Sequence, residues 1–365
     1  MQNALITGVT GFIGGELARH VFESQKYEII YIVCRAHGAI TAQARFEKVV
    51  KKWEDVHGKA FDLSKFEVID QDLFQCGKLD FPSDVTHIFH CAASTRFDES
   101  LTYARNNNLY ATQKLVLWAR GLKGLQRFVL FSTAFVCGDR RGPIRETDLP
   151  GKFQNNYEKT KYEAEQLVQS SKLPYLIVRP SIVVGDSTTG YTQHFRIFYS
   201  MLRVWLQGQL PRAPLHRKTC VDMVPVDFVC RGALGLTDHQ ESLDKTYHLC
   251  AGGDGLVDPI SVFQYAIKVF DLGTPPISPV WVIHVLNFPL IRFFVSRPIK
   301  AYLKTMGGHF PYMEPVVRRY SMEDTRKILA KDGIECPRLN DYGDRMFRFC
   351  KESNWGRNLR GLRDV

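Results

Sequence analysis

A tyrosine and a lysine one helical turn apart are the side chains of this 365-residue sequence best suited to acid–base chemistry. Tyr157 and Lys161 lie in the run NYEKTKYEAE, which is typical of a helix and puts both side chains on one face. A tyrosine holds its proton at neutral pH and can pass it to an oxygen that becomes negative, and we expect the nearby ammonium to lower the pKa of Tyr157. Tyr110 and Lys114 share this spacing, but they precede the strand that carries the hydroxyl needed beside them, so we discard that pair.

A threonine at a strand end supplies that hydroxyl. Residues 127–131 (RFVLF) predict a buried strand, after which the chain continues with Ser132 and Thr133. Side chains at the carboxyl ends of parallel strands face the ligand crevice, so we expect Thr133 to donate a hydrogen bond to the oxygen that Tyr157 protonates. The three residues favour addition of a hydride to a carbonyl group. The plainer interpretation is an ordinary helix face beside a strand-end hydroxyl.

A glycine-rich turn near the start of the chain predicts where the hydride donor binds. Gly8, Gly11 and Gly14 follow one another at spacings of three, between a short apolar run at 4–6 and a segment with apolar residues at helical spacing. Gly8 allows the tight turn, Gly11 lets the backbone approach a pyrophosphate, and Gly14 lets helix and strand pack closely. The N-terminus of the helix then faces the anion. A flexible turn is the alternative.

Residues after the next two strands indicate which dinucleotide is bound. Residues 28–34 (EIIYIVC) predict a strand that ends at Arg35, where an acidic residue would hold a ribose 2′-hydroxyl but an arginine accommodates a 2′-phosphate. Arg35 therefore favours NADP(H) over NAD(H). We expect Arg45 either to fold back on the same phosphate or to be a solvated helix arginine. Asp72, after a strand at 66–69, is either an acceptor for the adenine amino group or a loop aspartate.

Strands that alternate with helical patterns predict an α/β fold with a doubly wound parallel sheet of the Rossmann type. A fourth strand at 85–93 ends in Cys91, Ala92 and Ala93, which are small enough to let a cofactor pass, and a sixth at 176–184 is interrupted by Pro180. Residues 221–229 indicate a return to the sheet, followed by a helix and a strand at 246–250. We expect a cofactor domain over 1–185 and 219–251, interleaved with a smaller substrate domain over 186–218 and 252–365.

The segment 272–291 has the length of a membrane span and contains no Lys, Arg, Asp or Glu. Four prolines, at 275, 276, 279 and 289, argue against a span because their backbone is hard to satisfy in hydrocarbon. A core helix of the second domain or an apolar lid over a greasy substrate explains the segment, with peripheral membrane contact as a third interpretation. Apolar residues continue to Phe310, which favours a medium or long acyl chain as substrate.

Composition narrows the class of protein. Nine cysteines are scattered without a C-x-x-C pair, which argues against a disulfide framework and a zinc site, so we expect no metal. The net charge of +10 fits an anionic cofactor and substrate, an acidic protein partner or an anionic membrane surface, and no nucleic-acid-binding motif accompanies it. The chain starts directly with a strand and leaves no room for a secretory signal, which indicates a cytoplasmic protein. The oligomeric state stays open.

The motifs together resemble the extended short-chain dehydrogenase/reductase superfamily. Within it they resemble the branch of thioester reductases and fatty acyl-CoA reductases, the male-sterility-type NAD-binding proteins. One departure is Ala111, which stands where the superfamily's Asn-x-x-Gly-Thr has glycine, although Asn108 is kept. The matching segments, in order from residue 4 to about 230, are ITGVTGFIG, VCRA, DL at Asp72, FHCAAS, FSTAFVCG, NNYEKTKYEAE, VRPSIVVG and DMVPVDFV.

This resemblance implies a catalytic role for Thr133, Tyr157 and Lys161. It also implies NADP(H) as the cofactor, with residues 180–183 against the nicotinamide. The residues that it assigns to cofactor binding are Gly8, Thr10, Gly11, Phe12, Ile13, Gly14, Arg35, Arg45, Asp72, Leu73, Ala92, Ala93, Asn108, Tyr157, Lys161, Pro180, Ser181 and Val183.

The function expected from the resemblance is NADPH-dependent reduction of an acyl thioester, either acyl-CoA or an acyl carrier protein, to an aldehyde. Further reduction to the alcohol stays open. One alternative is an epimerase, a dehydratase or a hydroxy/keto dehydrogenase of the same superfamily, and Arg35 speaks against enzymes that keep NAD(H). The other is a cofactor-binding protein without turnover, which an intact catalytic set makes a poorer interpretation.

Overall fold

The computed structural model describes residues 2–75, 77–193, 219–273 and 317–357, together with positions 195, 199, 202, 203, 213, 214, 277, 278, 282, 285, 288 and 300. In chain order, the described strands are β1 (Asn3–Thr7), β2 (Ile29–Cys34), β3 (Phe66–Asp70), β4 (His87–His90), β5 (Arg127–Phe131), β6 (Gly142–Ile144), β7 (Tyr175–Pro180), β8 (Ile182–Val184), β9 (Ala213–Pro214), β10 (Met223–Pro225), β11 (Lys245–Leu249), β12 (Ile277–Ser278) and β13 (Arg318–Tyr320). The described helices are α1 (Phe12–Glu23), α2 (Ala42–His57), α3 (Leu101–Arg105), α4 (Ala111–Ala119), α5 (Asn156–Gln169), α6 (Val226–Asp238), α7 (Pro259–Phe270), α8 (Glu323–Leu329) and α9 (Leu339–Glu352).

Seven parallel strands form the central sheet, in the spatial order β11-β7-β5-β4-β1-β2-β3. The order reverses between β1 and β4, because the chain runs outward from β1 to β3 and then returns to the other side. Ligands bind at such a switch point, outside the carboxyl ends of the strands. The predicted α/β fold with a doubly wound parallel sheet is confirmed.

Helices cover both faces of this sheet, as strands that are apolar on both sides require. One face packs against α1, α2, α6 and α8 in a cluster that includes Leu17, Phe46 and Phe228. The opposite face packs against α4 and α5, through Leu115 and Val168 among others. The site residues predicted at the strand ends are therefore carried by a rigid three-layered core.

A π-helical turn joins α3 to α4, at Asn106–Tyr110. The predicted helix at 108–117 thus begins earlier, and a wider turn interrupts it. Such single π-turns are rare and occur often at functional sites. Here the turn contains Asn108, one of the predicted cofactor residues.

Two of the expected strand assignments differ from the structure. The predicted strand 176–184 is two strands, because β7 ends at Pro180 and β8 pairs instead with β10 in a separate two-stranded sheet. The predicted return to the sheet at 221–229 is wrong for the same reason, since only β10 is extended there and α6 begins at Val226. The strand beside β7 in the central sheet is β11.

A third apolar cluster lies beside the carboxyl ends of β8 and β10. It joins α7 and α9 through side chains such as Phe263, Tyr342 and Phe347. Most of the segment 272–291, for which we considered a core helix, a lid or membrane contact, lies outside the described residues, although Leu272, Val285 and Phe288 are exposed. Within the described ranges, no helix has both the length and the apolar character needed to cross a membrane.

Candidate active site

The hydroxyls of Thr133 and Tyr157 meet at the carboxyl edge of the sheet. Thr133 follows β5 in extended conformation, and Tyr157 lies in the first turn of α5. The Thr133 hydroxyl is close enough to the Tyr157 phenol to act on its pKa, which it lowers. The Tyr157 ring also stacks on Phe97, with ring centroids 5.6 Å apart. The structure therefore brings together the pair that the sequence places 24 residues apart.

Lys161 lies one turn further along α5, with its side chain buried. Its Nζ donates a hydrogen bond of 2.7 Å to the carbonyl oxygen of Phe131, two residues before Thr133. Burial lowers the pKa of Lys161 to about 8, against the smaller opposing effect of Glu165. A buried ammonium held on a backbone carbonyl is fixed in position beside the tyrosine.

Our expectation that Lys161 lowers the pKa of Tyr157 is wrong for this structure. Burial raises the pKa of Tyr157 to about 12, and the nearby Thr133 hydroxyl opposes that rise. Desolvation disfavours the phenolate more than any nearby group favours it. Tyr157 is therefore a protonated donor, and the group that moderates its pKa is the Thr133 hydroxyl.

Two buried contacts set the position of α5. Arg179 on β7 forms a bidentate ion pair with Glu165, with Nε–Oε1 and Nη2–Oε2 distances of 2.9 and 2.7 Å. At the other end, the Asn155 side chain caps the helix by accepting from the Glu158 backbone N–H at 3.0 Å. Removing one partner of a buried pair is costly, so this clamp keeps the catalytic turn in register with the sheet.

The glycine-rich turn has the close packing that its spacing predicts. Gly8 has a φ of +79°, and a Cβ there would lie 2.6 Å from the backbone nitrogen of Ala92. A Cβ at Gly14 would lie 2.3 Å from the carbonyl oxygen of Gly8. Gly11 is the N-cap of α1, whose first turn has no acidic side chain. Its free N–H groups and helix dipole form a site for an anion.

Arg35, Arg45 and Asp72 converge beyond the end of β2. Arg35 Nη1 donates to Asp72 Oδ2 at 2.7 Å, and its guanidinium lies 5.5 Å from the ring centroid of Phe74. Arg45 is buried, not solvated, and its Nη1 donates to the Arg35 carbonyl oxygen at 2.7 Å. Asp72 Oδ1 accepts from the Phe74 N–H at 2.9 Å, so both carboxylate oxygens have protein partners. For recognition of a phosphate, the two arginines are therefore a more distinctive feature than Asp72.

These features fit a nicotinamide dinucleotide. At Gly8 and Gly14 a Cβ would collide with backbone atoms, so these glycines keep the close packing of strand and helix that a dinucleotide-binding turn needs. Arg45 Nε is buried and has no hydrogen-bond partner among the described residues, beside a half-exposed Arg35. An unpaired buried donor is costly unless a ligand completes it. The Oγ atom of Ser132, next to Thr133, is a second buried atom without a partner.

Other predicted cofactor residues divide between the crevice and the core. Ser181 donates its hydroxyl to Asp222 Oδ1 at 2.5 Å, so that hydroxyl is committed to the fold. Leu73 is buried in the apolar cluster under α4. Residues at intermediate exposure along the strand ends and the turn are Thr10, Phe12, Ile13, Ala92, Ala93 and Val183, whereas Pro180 is the buried last residue of β7.

Sequence reasoning missed a buried hydrogen-bonded chain centred on His90. The Ala92 N–H donates to Thr7 Oγ1 at 3.2 Å, and that hydroxyl contacts His90 Nδ1 at 2.7 Å. On the other side His90 Nε2 contacts Thr112 Oγ1 at 3.0 Å, and Thr112 donates to the Asn108 carbonyl oxygen at 2.6 Å. Because Thr112 gives its proton to Asn108, His90 Nε2 must donate to Thr112 Oγ1. Burial lowers the pKa of His90, so the ring is neutral and its Nδ1 accepts from the Thr7 hydroxyl.

Asn108 completes this network. Its Oδ1 accepts from the Ser94 N–H at 2.8 Å, and its Nδ2 donates to Ser94 O and to Thr160 Oγ1. The π-turn is thereby tied both to the loop after β4 and to α5.

The sequence does contain a signal for the role of His90, because a histidine within an apolar strand must find hydrogen-bond partners for both ring nitrogens when it is buried. Among the described residues no cluster of three metal-ligating side chains occurs.

Comparison with known proteins adds a family and a fold. Residues 6–233 match the family described as male sterility protein. Fatty acyl-CoA reductase 2 of Bos taurus is 37% identical over 300 residues, covering 69% of this chain and 58% of that protein. Fatty acyl-CoA reductase 1 of Homo sapiens is 30% identical over 283 residues, covering 64% and 54%. The chain thus spans little more than half the length of these relatives.

Solved structures share the fold at low sequence identity. The terminal R domain from the myxalamid PKS-NRPS biosynthetic pathway has a TM-score of 0.80 at 20% identity, covering 98% of this chain and 91% of that one. UDP-glucuronic acid 4-epimerase from Bacillus cereus in complex with NAD has a TM-score of 0.69 at 17% identity, covering 98% and 99%. Both support the extended short-chain dehydrogenase/reductase fold.

We predict that His90 makes the protein less stable in mild acid. Burial lowers its pKa from 6.5 to about 3, so below pH 6.5 the unfolded chain binds a proton there that the folded chain does not. This contribution to the free energy of unfolding is full above pH 6.5 and falls as the pH drops toward 3, by on the order of 2 kcal/mol between pH 7 and pH 5. Urea unfolding at the two pH values measures it.

In that experiment His90→Gln should be less stable than wild type at pH 7 but should lose less on acidification. The exposed His37→Gln variant is the control and should follow wild type. Because the half-buried His20 and the buried His87 and His248 also have lowered pKa values, the wild-type slope contains their contributions as well. An equal loss in wild type and His90→Gln would contradict a neutral His90.

Proposed function

The chain belongs to the male sterility protein family, and on that premise we propose that it is an NADPH-dependent reductase that converts an acyl thioester into an aldehyde. The observation that carries the proposal is the placement of Thr133, Tyr157 and the buried Lys161 together at the sheet edge that also holds the glycine turn. The names of the fatty acyl-CoA reductases to which the chain is similar support the thioester as substrate.

The side chains divide the reaction between them. A reduced nicotinamide cofactor, when bound, supplies the hydride that adds to the carbonyl carbon. Thr133 and Tyr157 donate hydrogen bonds to the carbonyl oxygen, and the Tyr157 proton passes to it as negative charge develops. Lys161 is held on the Phe131 carbonyl oxygen one helical turn from Tyr157, and its role in the proposal is to keep a fixed positive charge at this end of the site.

The product of this addition is a hemithioacetal. Its carbon–sulfur bond then breaks, the carbonyl bond re-forms, and the hydroxyl proton ends on the sulfur, which leaves an aldehyde and a free thiol. We propose a coenzyme A thioester as the carrier of the acyl group, with an acyl carrier protein as the alternative. The length of the acyl chain is the quantity that a series of substrates determines.

The proposal is tested by incubating purified protein anaerobically with NADPH and saturated acyl-CoAs from acetyl to palmitoyl, while NADPH absorbance and aldehyde are followed together. If an apolar surface receives the chain, kcat/KM should rise several-fold per added methylene up to a length limit, since each buried methylene is worth about 0.8 kcal/mol. Oxidation of NADPH without formation of aldehyde, or turnover with UDP-sugars alone, would contradict the proposal and favour the epimerase-like alternative.

Replacement of the proton donor should remove turnover and spare binding. We expect Tyr157→Phe to lower kcat by roughly 10²- to 10⁴-fold, because the ring and its stacking on Phe97 remain while the hydroxyl is lost. The dissociation constant for NADPH, measured by fluorescence, should change little. Tyr110→Phe, at the half-exposed tyrosine with the same spacing to a lysine, should keep wild-type turnover. A Tyr157→Phe enzyme with more than a tenth of wild-type kcat would rule out the role.

Cofactor preference should depend on Arg35. We propose that Arg35 and Arg45 bind the 2′-phosphate of NADPH, supported by their contact and by the unpartnered Arg45 Nε. Arg35→Asp removes a charge-assisted hydrogen bond, so the KM for NADPH should rise roughly tenfold to a hundredfold while the KM for NADH hardly changes. Lys51→Asp, an exposed cation on α2, is the matched control. A wild-type enzyme that prefers NADH would show that Arg35 has another role.

A further inference from the structure

The loop that connects Thr133 to Tyr157 is closed at its base. The Gly151 N–H donates to the Cys137 carbonyl oxygen at 2.9 Å, and the Asp139 N–H donates to the Lys152 carbonyl oxygen at 3.0 Å. The backbones are so close that a Cβ at Gly138, whose φ is +66°, would lie 2.8 Å from the Lys152 oxygen. Residues 138–152 therefore leave and rejoin the active-site edge at one point.

Contacts within this loop hold its shape. Arg140 Nη1 donates to the Leu149 carbonyl oxygen at 2.7 Å, and the Arg145 N–H donates to Asp148 Oδ2 at 2.9 Å. The loop also contributes β6, which pairs in parallel with β13 from the C-terminal part of the chain. The outer side of the loop is therefore a preformed surface. A ligand that binds there would pay little conformational entropy for ordering the loop backbone.

The acidic and the basic side chains of the loop differ in their contacts. Each carboxylate accepts a backbone hydrogen bond, Asp139 from Lys152, Asp148 from Arg145 and Glu146 from His248. Arg140 pairs with Asp148 at 3.7 Å, and the other cations of the loop are exposed. We define the basic loop face as the exposed residues Arg141, Arg145, Lys152 and Arg319.

No side chain of the basic loop face has an anionic partner within the part of the chain that the structure describes. Together with Arg140, these four cations outnumber the three carboxylates of the loop, so the surface has a net positive charge. It also lies near the reaction. Lys152 precedes Tyr157 by five residues, so their Cα atoms are at most roughly 18 Å apart even for an extended chain.

We propose that the basic loop face binds the phosphate groups of the coenzyme A part of the substrate. This inference rests on the proposed function, because a thioester carbonyl between Thr133 and Tyr157 must carry its thiol arm outward, past the loop that joins them. Phosphates are the strongest anions of an acyl-CoA, and arginine recognises them by charge-assisted, often bidentate, hydrogen bonds. Three of the four cations are arginines.

The experiment compares two thioesters with the same acyl chain, an acyl-CoA and the acyl N-acetylcysteamine thioester, which lacks phosphates. In the triple variant Arg141→Gln/Arg145→Gln/Arg319→Gln, the KM for acyl-CoA should rise tenfold or more with kcat unchanged, and its dependence on salt should weaken. The KM for the N-acetylcysteamine thioester should stay at the wild-type value. Lys123→Gln/Lys172→Gln/Lys245→Gln makes the same charge change at the opposite edge of the sheet and should alter neither KM.

Three results would overturn the inference while leaving the proposed function intact: equal KM values for acyl-CoA in wild type and triple variant, equal effects on both thioesters, or an effect only on an acyl carrier protein. If the wild-type protein reduces neither thioester, that result contradicts the proposed function and not the binding surface. Titration calorimetry with coenzyme A and with pantetheine then tests the surface alone. Coenzyme A should bind wild type at least tenfold more tightly than the triple variant, and equal binding would refute the site.

Discussion

The close approach of Gly8 to the backbone at Cys91 and Ala92 is the contact on which the rest of this structure depends. It joins the ends of β1 and β4, the two strands between which the order of the sheet reverses. A side chain at Gly8 would force the strand ends apart and open the switch point where a dinucleotide binds. The Thr7–His90–Thr112–Asn108 chain extends the same constraint outward, so the glycine turn, the strand end and the π-turn keep one geometry.

Burial has opposite effects on the two titratable groups of the site. It raises the pKa of Tyr157 to about 12 and lowers that of Lys161 to about 8, since desolvation disfavours the charged form of each. A tyrosine that is reluctant to ionise keeps its proton until the substrate oxygen becomes negative. The Thr133 hydroxyl opposes this effect, because it lowers the pKa of Tyr157. It has one proton, so it can donate either to the phenolate or to a substrate oxygen at any moment.

Local patterns predicted the central sheet well, since apolar runs between turn residues fix strands such as 127–131 almost to the residue. They did not predict strand pairings and side-chain contacts that depend on residues distant in sequence. Nothing local shows that β8 leaves the sheet after Pro180 to pair with β10, or that the Ser181 hydroxyl is held by Asp222. The contact of Asp72 with Arg35 joins residues 37 positions apart, so no local pattern predicts it. The spacing of Tyr157 and Lys161 does predict a shared helix, and both lie on α5.

Asp222 shows how the interleaved parts of the chain complete one site. Its carboxylate accepts from the Ser181 hydroxyl and from the backbone N–H groups of Ala251 and Gly252, at 2.8 and 3.1 Å for the latter two. The ends of β7 and β11 are thus fixed by a residue just before β10. On the opposite side of the crevice, Gln193 donates to the Thr10 carbonyl oxygen at 3.0 Å, within the glycine turn. Asp222 and Gln193, which both follow the Rossmann core of the first 180 residues, therefore hold the ends of β7 and β11 and the glycine turn in place. A substitution at either residue would shift these segments without any direct contact to Thr133 or Tyr157.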